Sequence, residues 1–199
     1  MSVSTVLLDL DGVVRHFDPD HRENTERTHG LTPGILWDVG FEPALNLSLT
    51  TGRITRAEWI AEIGRRVDNP AAAEEWLAAR GTVDKELLEV VDRLRADRVT
   101  VAILTNGTDT VSAELDEFGI TDRFDAVFNS ATIGYSKPDP RAFAHVVAAL
   151  EVAPESVFFT DDSAGKLAGA IELGMTARQY VDVPTFLTHL AELNLLPPD

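Results

Sequence analysis

The stretch VSTVLLDLDGV at residues 3–13 decides the fold. It opens as a short apolar run that includes β-branched residues and closes in the turn Asp11-Gly12, a pattern typical of a buried strand. We place this strand at Val3–Leu10. Similar runs follow at VTVAIL (99–104), AVF (126–128), VFFT (157–160) and ARQYV (177–181). The sequence therefore predicts a sheet of up to five strands.

Helical patterns lie between these strands. Residues 84–96 carry Leu87, Leu88, Val91 and Leu94 at helical spacing. Further helices are expected at 109–118, 140–150, 166–173 and 184–193. Because strands and helices alternate, the sequence predicts an α/β fold, with a parallel sheet flanked by helices on both faces.

Residues 16–83 interrupt the alternation. No strand pattern occurs from His16 to Gly81, and residues 56–67 and 71–80 have helical patterns, the second preceded by Asn69-Pro70 as N-cap and first position. We predict an all-helical insertion at 16–83 and an α/β core formed by 1–15 and 84–199. Trp59 and Trp76 are expected in the core of the insertion.

Charge and composition argue against several classes of function. The net charge is −16, which repels nucleic acid and anionic membrane surfaces and requires any anionic substrate to meet a local cation or metal ion. The absence of cysteine excludes disulfides and thiolate catalysis. No apolar run reaches the roughly 18 residues of a membrane span, and the first residues lack a signal-peptide pattern. We expect a cytoplasmic protein, monomeric or homodimeric.

Polar side chains follow the predicted strands, where α/β sheets bind their ligands. Asp9 and Asp11 are two residues apart and face the same side of an extended chain. A pair of close carboxylates favours a hard cation such as Mg²⁺ between them. The remaining polar groups are Thr105-Asn106-Gly107 after the second strand, Lys137 in a loop with two prolines, and Asp161-Asp162-Ser163 after the fourth strand.

Four of these stretches, in this order, resemble the motifs of the haloacid dehalogenase-like hydrolases. They are DLDGV (9–13), ILTNG (103–107), YSKPDP (135–140) and FFTDDS (158–163). The resemblance implies a Rossmann-like core with a small helical cap inserted after the first motif. It also implies a phosphatase that uses Mg²⁺ to hydrolyse a small phosphorylated metabolite, for which a sugar phosphate is one candidate.

The resemblance also implies a role for each matching residue. Asp9 would attack phosphorus and form an aspartyl-phosphate, and Asp11 would protonate the leaving oxygen and then activate water. Thr105, the Asn106 N–H and Lys137 would hold the phosphoryl group. Asp9, Asp162 and the Asp11 carbonyl would bind Mg²⁺, with Asp161 assisting directly or through water. The candidates for contacting and selecting the substrate are Arg15, His16, Trp37 and Arg53.

Two residues bear on the alternatives. An acid at position 11 favours a phosphatase over a carbon–halogen dehalogenase, whose halide leaving group needs no proton. Lys166 occupies a position that is Asn or Asp in many relatives, and it either adds a second cation or weakens the support of Lys137 and the metal. A phosphomutase, a dehalogenase and a non-catalytic binding or regulatory protein remain open.

Overall fold

The computed structural model describes residues 2–196, so Met1 and residues 197–199 of the predicted core lie outside the described residues. Within this range one sheet has five parallel strands in the order β5-β4-β1-β6-β7. These strands are β1 (Thr5–Leu8), β4 (Thr100–Thr105), β5 (Ala126–Asn129), β6 (Val157–Asp161) and β7 (Thr176–Gln179). The predicted α/β fold with a parallel sheet is confirmed.

Helices cover both faces of this sheet. They are α6 (Lys85–Ala96), α7 (Val111–Glu117), α8 (Ser130–Ile133), α9 (Pro140–Leu150), α10 (Ala168–Glu172) and α11 (Val183–Glu192). Side chains alternate across a strand, so Val6 and Leu8 join the cluster beneath α6 and α11, whereas Leu7 joins Phe143 and Ala170 on the opposite face. The core is therefore two apolar layers separated by the sheet.

Several predicted boundaries were wrong by a few residues. The helix expected from Asp109 begins at Val111, because the carboxylate of Asp109 instead accepts a hydrogen bond from the backbone N–H of Arg56 in the insertion. The helix expected at 166–173 is divided into a 3-10 turn at Ala164–Lys166 and α10. The first and last strands are shorter than their apolar runs, since pairing with neighbouring strands limits their length.

The insertion contains five helices with an apolar core of their own. They are α1 (His21–Thr28), α2 (Ile35–Gly40), α3 (Pro43–Thr50), α4 (Arg56–Arg66) and α5 (Pro70–Leu77). Trp59, Ile63 and Trp76 are buried together with Leu36 and Leu49, as predicted for the two tryptophans. The sequence did not predict α1–α3, because they are short and α1 is almost wholly polar.

A pair of two-residue strands joins the insertion to the core. β2 (Arg15–His16) pairs antiparallel with β3 (Thr82–Val83). The expectation of no strand from His16 onward was therefore wrong at its first residue, because two residues are too few to show a strand period. Within residues 2–196, no helix is both long and apolar enough to cross a membrane.

Candidate active site

Three carboxylates meet at the carboxyl ends of two neighbouring strands. Leu8 of β1 is in register with Thr160 of β6, so Asp9 and Asp161 emerge side by side. Asp162 follows directly, and oxygen atoms of Asp9, Asp161 and Asp162 lie within 4.8 Å of one another. An all-oxygen donor set of this kind fits a hard divalent cation such as Mg²⁺.

Lys137 lies inside this carboxylate cluster. Its Nζ is 2.7 Å from Asp9 Oδ1 and 2.6 Å from Asp161 Oδ2, and its side chain is 1% exposed. The loop is held by Asn106, whose Oδ1 accepts from the Lys137 N–H at 2.7 Å and whose Nδ2 donates to the Lys137 carbonyl at 2.8 Å. The ammonium is therefore fixed against both carboxylates.

Lys166 has a definite place near this loop. Its Nζ donates to the carbonyl oxygen of Lys137 at 3.3 Å. Burial lowers the pKa of Lys166, and the nearby Lys137 ammonium lowers it further. Lys166 thus lies within hydrogen-bonding distance of the backbone of Lys137. Both interpretations of Lys166, a second cation or weaker support of Lys137 and the metal, are compatible with this contact.

The electrostatics of the cluster depend on burial. Burial raises the pKa of Asp9 to about 7, although Lys137 opposes the shift and Asp161 adds to it. Burial also raises the pKa of Asp162, with a further contribution from Asp161. Carboxylates crowded in this way around one ammonium leave residual negative charge, which a bound cation would compensate.

Gly12 allows the first motif to approach Asp162 closely. Its φ is +88°, and a Cβ at this position would lie 2.3 Å from Asp162 Oδ2. Any side chain would therefore displace Asp162 as well as strain the backbone. The turn after β1 needs glycine because the first and fourth motifs touch there.

Asp11 is held by a neighbouring arginine. Arg15 donates through Nε to Asp11 Oδ1 at 2.6 Å and through Nη2 to Asp11 Oδ2 at 3.1 Å. Its Nη1 donates to Glu114 Oε2 at 2.7 Å. Burial alone lowers the pKa of Arg15, but the bonds to Asp11 and Glu114 outweigh it and the pKa is raised.

A cavity of about 680 Å³ opens from this site toward the helical insertion. Asp11, Asn106 and Gly107 line its core side, and helices of the insertion line the other. Of the four substrate-selecting candidates, Arg15 and Trp37 line the cavity. His16 instead lies 3.3 Å from Asp84 Oδ2, and Arg53 is exposed; neither is among the lining residues.

Thr105 is the buried last residue of β4, and Asn106-Gly107 follow at the cavity wall. The motifs thus converge at one edge of the sheet.

Glu114 was missed by sequence reasoning, although the sequence contains a signal for it. It lies in the same helical stripe as the buried Val111 and Leu115, and an acid in an apolar stripe is unusual unless it is paired.

Comparisons with known proteins identify the relatives of this chain. Residues 3–174 match the family model described as haloacid dehalogenase-like hydrolase. A protein of Mycobacterium tuberculosis (strain CDC 1551 / Oshkosh) that is named as a phosphatase is 31% identical over 193 residues, covering 89% of this chain and 87% of the relative.

Two solved structures share the fold. A family enzyme from Bacteroides thetaiotaomicron, in complex with magnesium and inorganic phosphate, superposes with a TM-score of 0.74 at 21% identity, covering 90% of this chain and 94% of the other. The L-2-haloacid dehalogenase of Xanthobacter autotrophicus gives a TM-score of 0.66 at 21% identity, covering 98% and 85%. At these identities the likeness concerns the fold alone.

Proposed function

The chain belongs to the haloacid dehalogenase-like hydrolase family, and from this premise we propose that it is a Mg²⁺-dependent phosphatase acting on phosphate monoesters through an aspartyl-phosphate. One observation carries the proposal. Asp9 shares the buried Lys137 with Asp161, while a third carboxylate, Asp11, lies two residues after Asp9 at the cavity wall. A nucleophile, a fixed cation and a proton carrier are thus close together.

Asp9 is the proposed nucleophile. A carboxylate oxygen attacks phosphorus, the bond to the leaving alcohol breaks, and a phosphoryl group remains on Asp9. The ammonium of Lys137, 2.7 Å from Asp9 Oδ1, offsets negative charge on the attacking and phosphoryl oxygens. Thr105 and the Asn106 N–H are the proposed donors that hold the phosphoryl group.

Asp9, Asp162 and the Asp11 carbonyl are the proposed Mg²⁺ ligands, with Asp161 assisting directly or through water. The bound ion would supply charge neutralisation and orientation of the phosphoryl group. Asp161 accepts from both the Lys137 ammonium and the Ser163 N–H, which holds it in place beside Asp9.

Asp11 is the proposed acid and base. It gives its proton to the alcohol oxygen as the ester bond breaks, and it then takes a proton from the water that attacks the aspartyl-phosphate. The geometry that supports this role is the carboxylate of Asp11, held by Arg15 at the wall of the cavity. A halide leaving group would need no such proton, which is why we favour a phosphatase over a dehalogenase.

The helical insertion is the proposed cap. Its helices form the wall of the cavity opposite Asp11, and Gly52 packs so closely against the core that a Cβ there would lie 2.1 Å from the carbonyl oxygen of Ala131. A cap in this position would exclude water and contact the leaving group. We further propose a cytoplasmic protein that binds neither nucleic acid nor membranes.

The test is phosphate release from a panel of phosphate monoesters, with Mg²⁺ and with EDTA, by the native protein, Asp9→Asn and the exposed control Asp97→Asn. We expect metal-dependent release that Asp9→Asn lowers at least about 10³-fold and Asp97→Asn leaves unchanged. Full activity in Asp9→Asn, or indifference to EDTA, would overturn the proposal.

The same assay separates the alternatives. Transfer of phosphate to a second hydroxyl with little free phosphate identifies a mutase. Halide release from a haloacid without metal identifies a dehalogenase. A folded protein that neither releases nor transfers phosphate from any ester, and forms no aspartyl-phosphate, favours a binding or regulatory role.

A further inference from the structure

Aromatic side chains form an unusual part of the cavity wall. Phe17, Trp37 and Phe41 are 43%, 49% and 37% exposed, and all three line the cavity. Large apolar side chains that remain exposed together at a site usually have a binding role. The exposed rings belong to the insertion and line the same cavity as Asp11, Asn106 and Gly107 of the first two motifs.

Two of these rings, Trp37 and Phe41, form one surface that packs against the core of the insertion. The ring centroids of Trp37 and Phe41 are 4.1 Å apart, with a 36° angle between the planes. Phe41 lies edge-on to Trp59 and Trp76 at 5.9 and 6.2 Å, and both tryptophans belong to the core of the insertion. The Trp37–Phe41 surface is therefore anchored to that core.

Most polar side chains of the same wall are engaged with the protein itself. Arg22 is an exception, because its Nε has no hydrogen-bond partner, and its guanidinium carbon lies 5.7 Å from the centre of the Trp37 ring. Arg15 bonds Asp11 and Glu114, and Arg80 pairs with Glu117. His21 contacts the carbonyls of Glu75 and Trp76, and the Thr50 hydroxyl donates to the backbone carbonyl of Asn46. A ligand rich in hydroxyl groups would lose its hydrogen bonds to water here and find few free partners.

We infer that the alcohol part of the substrate carries an aromatic ring, which stacks on the Trp37–Phe41 surface while the phosphate lies at Asp9. This inference rests on the proposed phosphatase activity. The cavity that holds the rings extends to the first two motifs, since Asp11, two residues after Asp9, and Asn106 and Gly107 line it as well. About 680 Å³ is ample for a fused two-ring group, within the usual range of ligand cavities.

The first experiment compares three esters of primary alcohols, so that the leaving groups are similar in acidity. They are 2-naphthylmethyl phosphate, cyclohexylmethyl phosphate and glucose 6-phosphate. The cyclohexyl ester separates recognition of an aromatic ring from a preference for any apolar group. Glucose 6-phosphate represents the sugar phosphates that the family resemblance suggests. We expect kcat/KM for the naphthyl ester to exceed both others by about tenfold or more, the size of a good aromatic stack.

The variants are Trp37→Leu, Trp37→Phe and Leu47→Ala. Trp37→Leu should lower kcat/KM for the naphthyl ester about tenfold more than kcat/KM for the glucose ester, whereas Trp37→Phe keeps a ring and most of the preference. Leu47 is a matched control, because it is a 47% exposed apolar residue of the same insertion that does not line the cavity. Leu47→Ala should therefore keep the native ratios.

Equal or better turnover of glucose 6-phosphate, or an equal loss for all three esters in Trp37→Leu, would overturn the inference while leaving the phosphatase proposal intact. If no ester is hydrolysed, the phosphatase proposal fails. Calorimetric binding of 2-naphthylmethylphosphonate and methylphosphonate then decides the inference. Tighter binding of the naphthyl compound that Trp37→Leu abolishes supports a ring site, and equal binding of both compounds contradicts it.

Discussion

Arg15 holds both carboxylate oxygens of Asp11, with Nε 2.6 Å from Oδ1 and Nη2 3.1 Å from Oδ2. The remaining terminal nitrogen of the guanidinium bonds Glu114, whose other oxygen accepts from Thr110 at 2.6 Å. The proposed acid and base is therefore oriented by a partly buried chain of charged and polar groups, and its direction depends on α7 as well as on the turn that follows β1.

Replacing Arg15 with lysine should lower kcat about tenfold with little change in KM, because one ammonium cannot hold two oxygens in the fixed geometry of a guanidinium. The check is steady-state kinetics alongside thermal unfolding. Arg95→Lys is the matched control, since Arg95 holds Asp125 through two nitrogens away from the cavity. A lower unfolding temperature of Arg15→Lys with unchanged kcat would show that Arg15 has a structural role only.

Mg²⁺ affinity should depend on pH through Asp9. Burial raises the pKa of Asp9 to about 7, so below that pH a proton must leave before the carboxylate can bind metal. Affinity should rise up to about tenfold per pH unit below pH 7 and level off above it. Calorimetry in two buffers of different ionisation enthalpy would measure the released proton.

The free energy of unfolding of the metal-free protein should fall as pH rises, whereas Mg²⁺ affinity should increase. The folded state binds the Asp9 proton more tightly than the unfolded chain, whose pKa is near 3.8. Stability from this group is thus present at low pH and is lost as pH rises from about 4 to about 7. Affinity for Mg²⁺ that does not vary across neutral pH would contradict this account of Asp9.

Gly12→Ala should abolish metal-dependent activity. The new Cβ would lie 2.3 Å from Asp162 Oδ2, on a backbone with φ of +88°, so Asp162 must move and the turn must strain. Mg²⁺ titration should show at least about tenfold weaker binding. Gly165→Ala is the control, since a Cβ there meets nothing within 4 Å, and its Mg²⁺ affinity should match the native value.

Ile63→Ala should destabilise the insertion by about 2–5 kcal/mol, the usual cost of truncating a fully buried side chain. Ile63 is 0% exposed and packs with Trp59 and Trp76. Chemical unfolding followed by tryptophan fluorescence reports on the insertion, because all three tryptophans lie there. An unchanged transition midpoint would show that the insertion does not depend on this core.

The sequence by itself determined much of the fold, and it predicted the polar residues of the candidate site. Apolar runs of four to eight residues that end in Asp-Gly, Asn-Gly or Asp-Asp can be recognised locally, because a buried parallel strand needs such a run and a turn at its end. Asp9, Asp11, Thr105 and Asp162 were predicted from those strand ends, and Lys137 from the loop with two prolines.

Tertiary structure decided what no local pattern encodes. The register of β1 against β6 brings Asp9 beside Asp161, and Lys137 reaches both from a loop more than twenty residues distant in the chain. Glu114 lies 99 residues from Arg15, so their pairing depends on where α7 packs. The short helices of the insertion and the exposed face of Trp37 likewise arise from packing, because burial is a property of the assembled chain and not of any one segment.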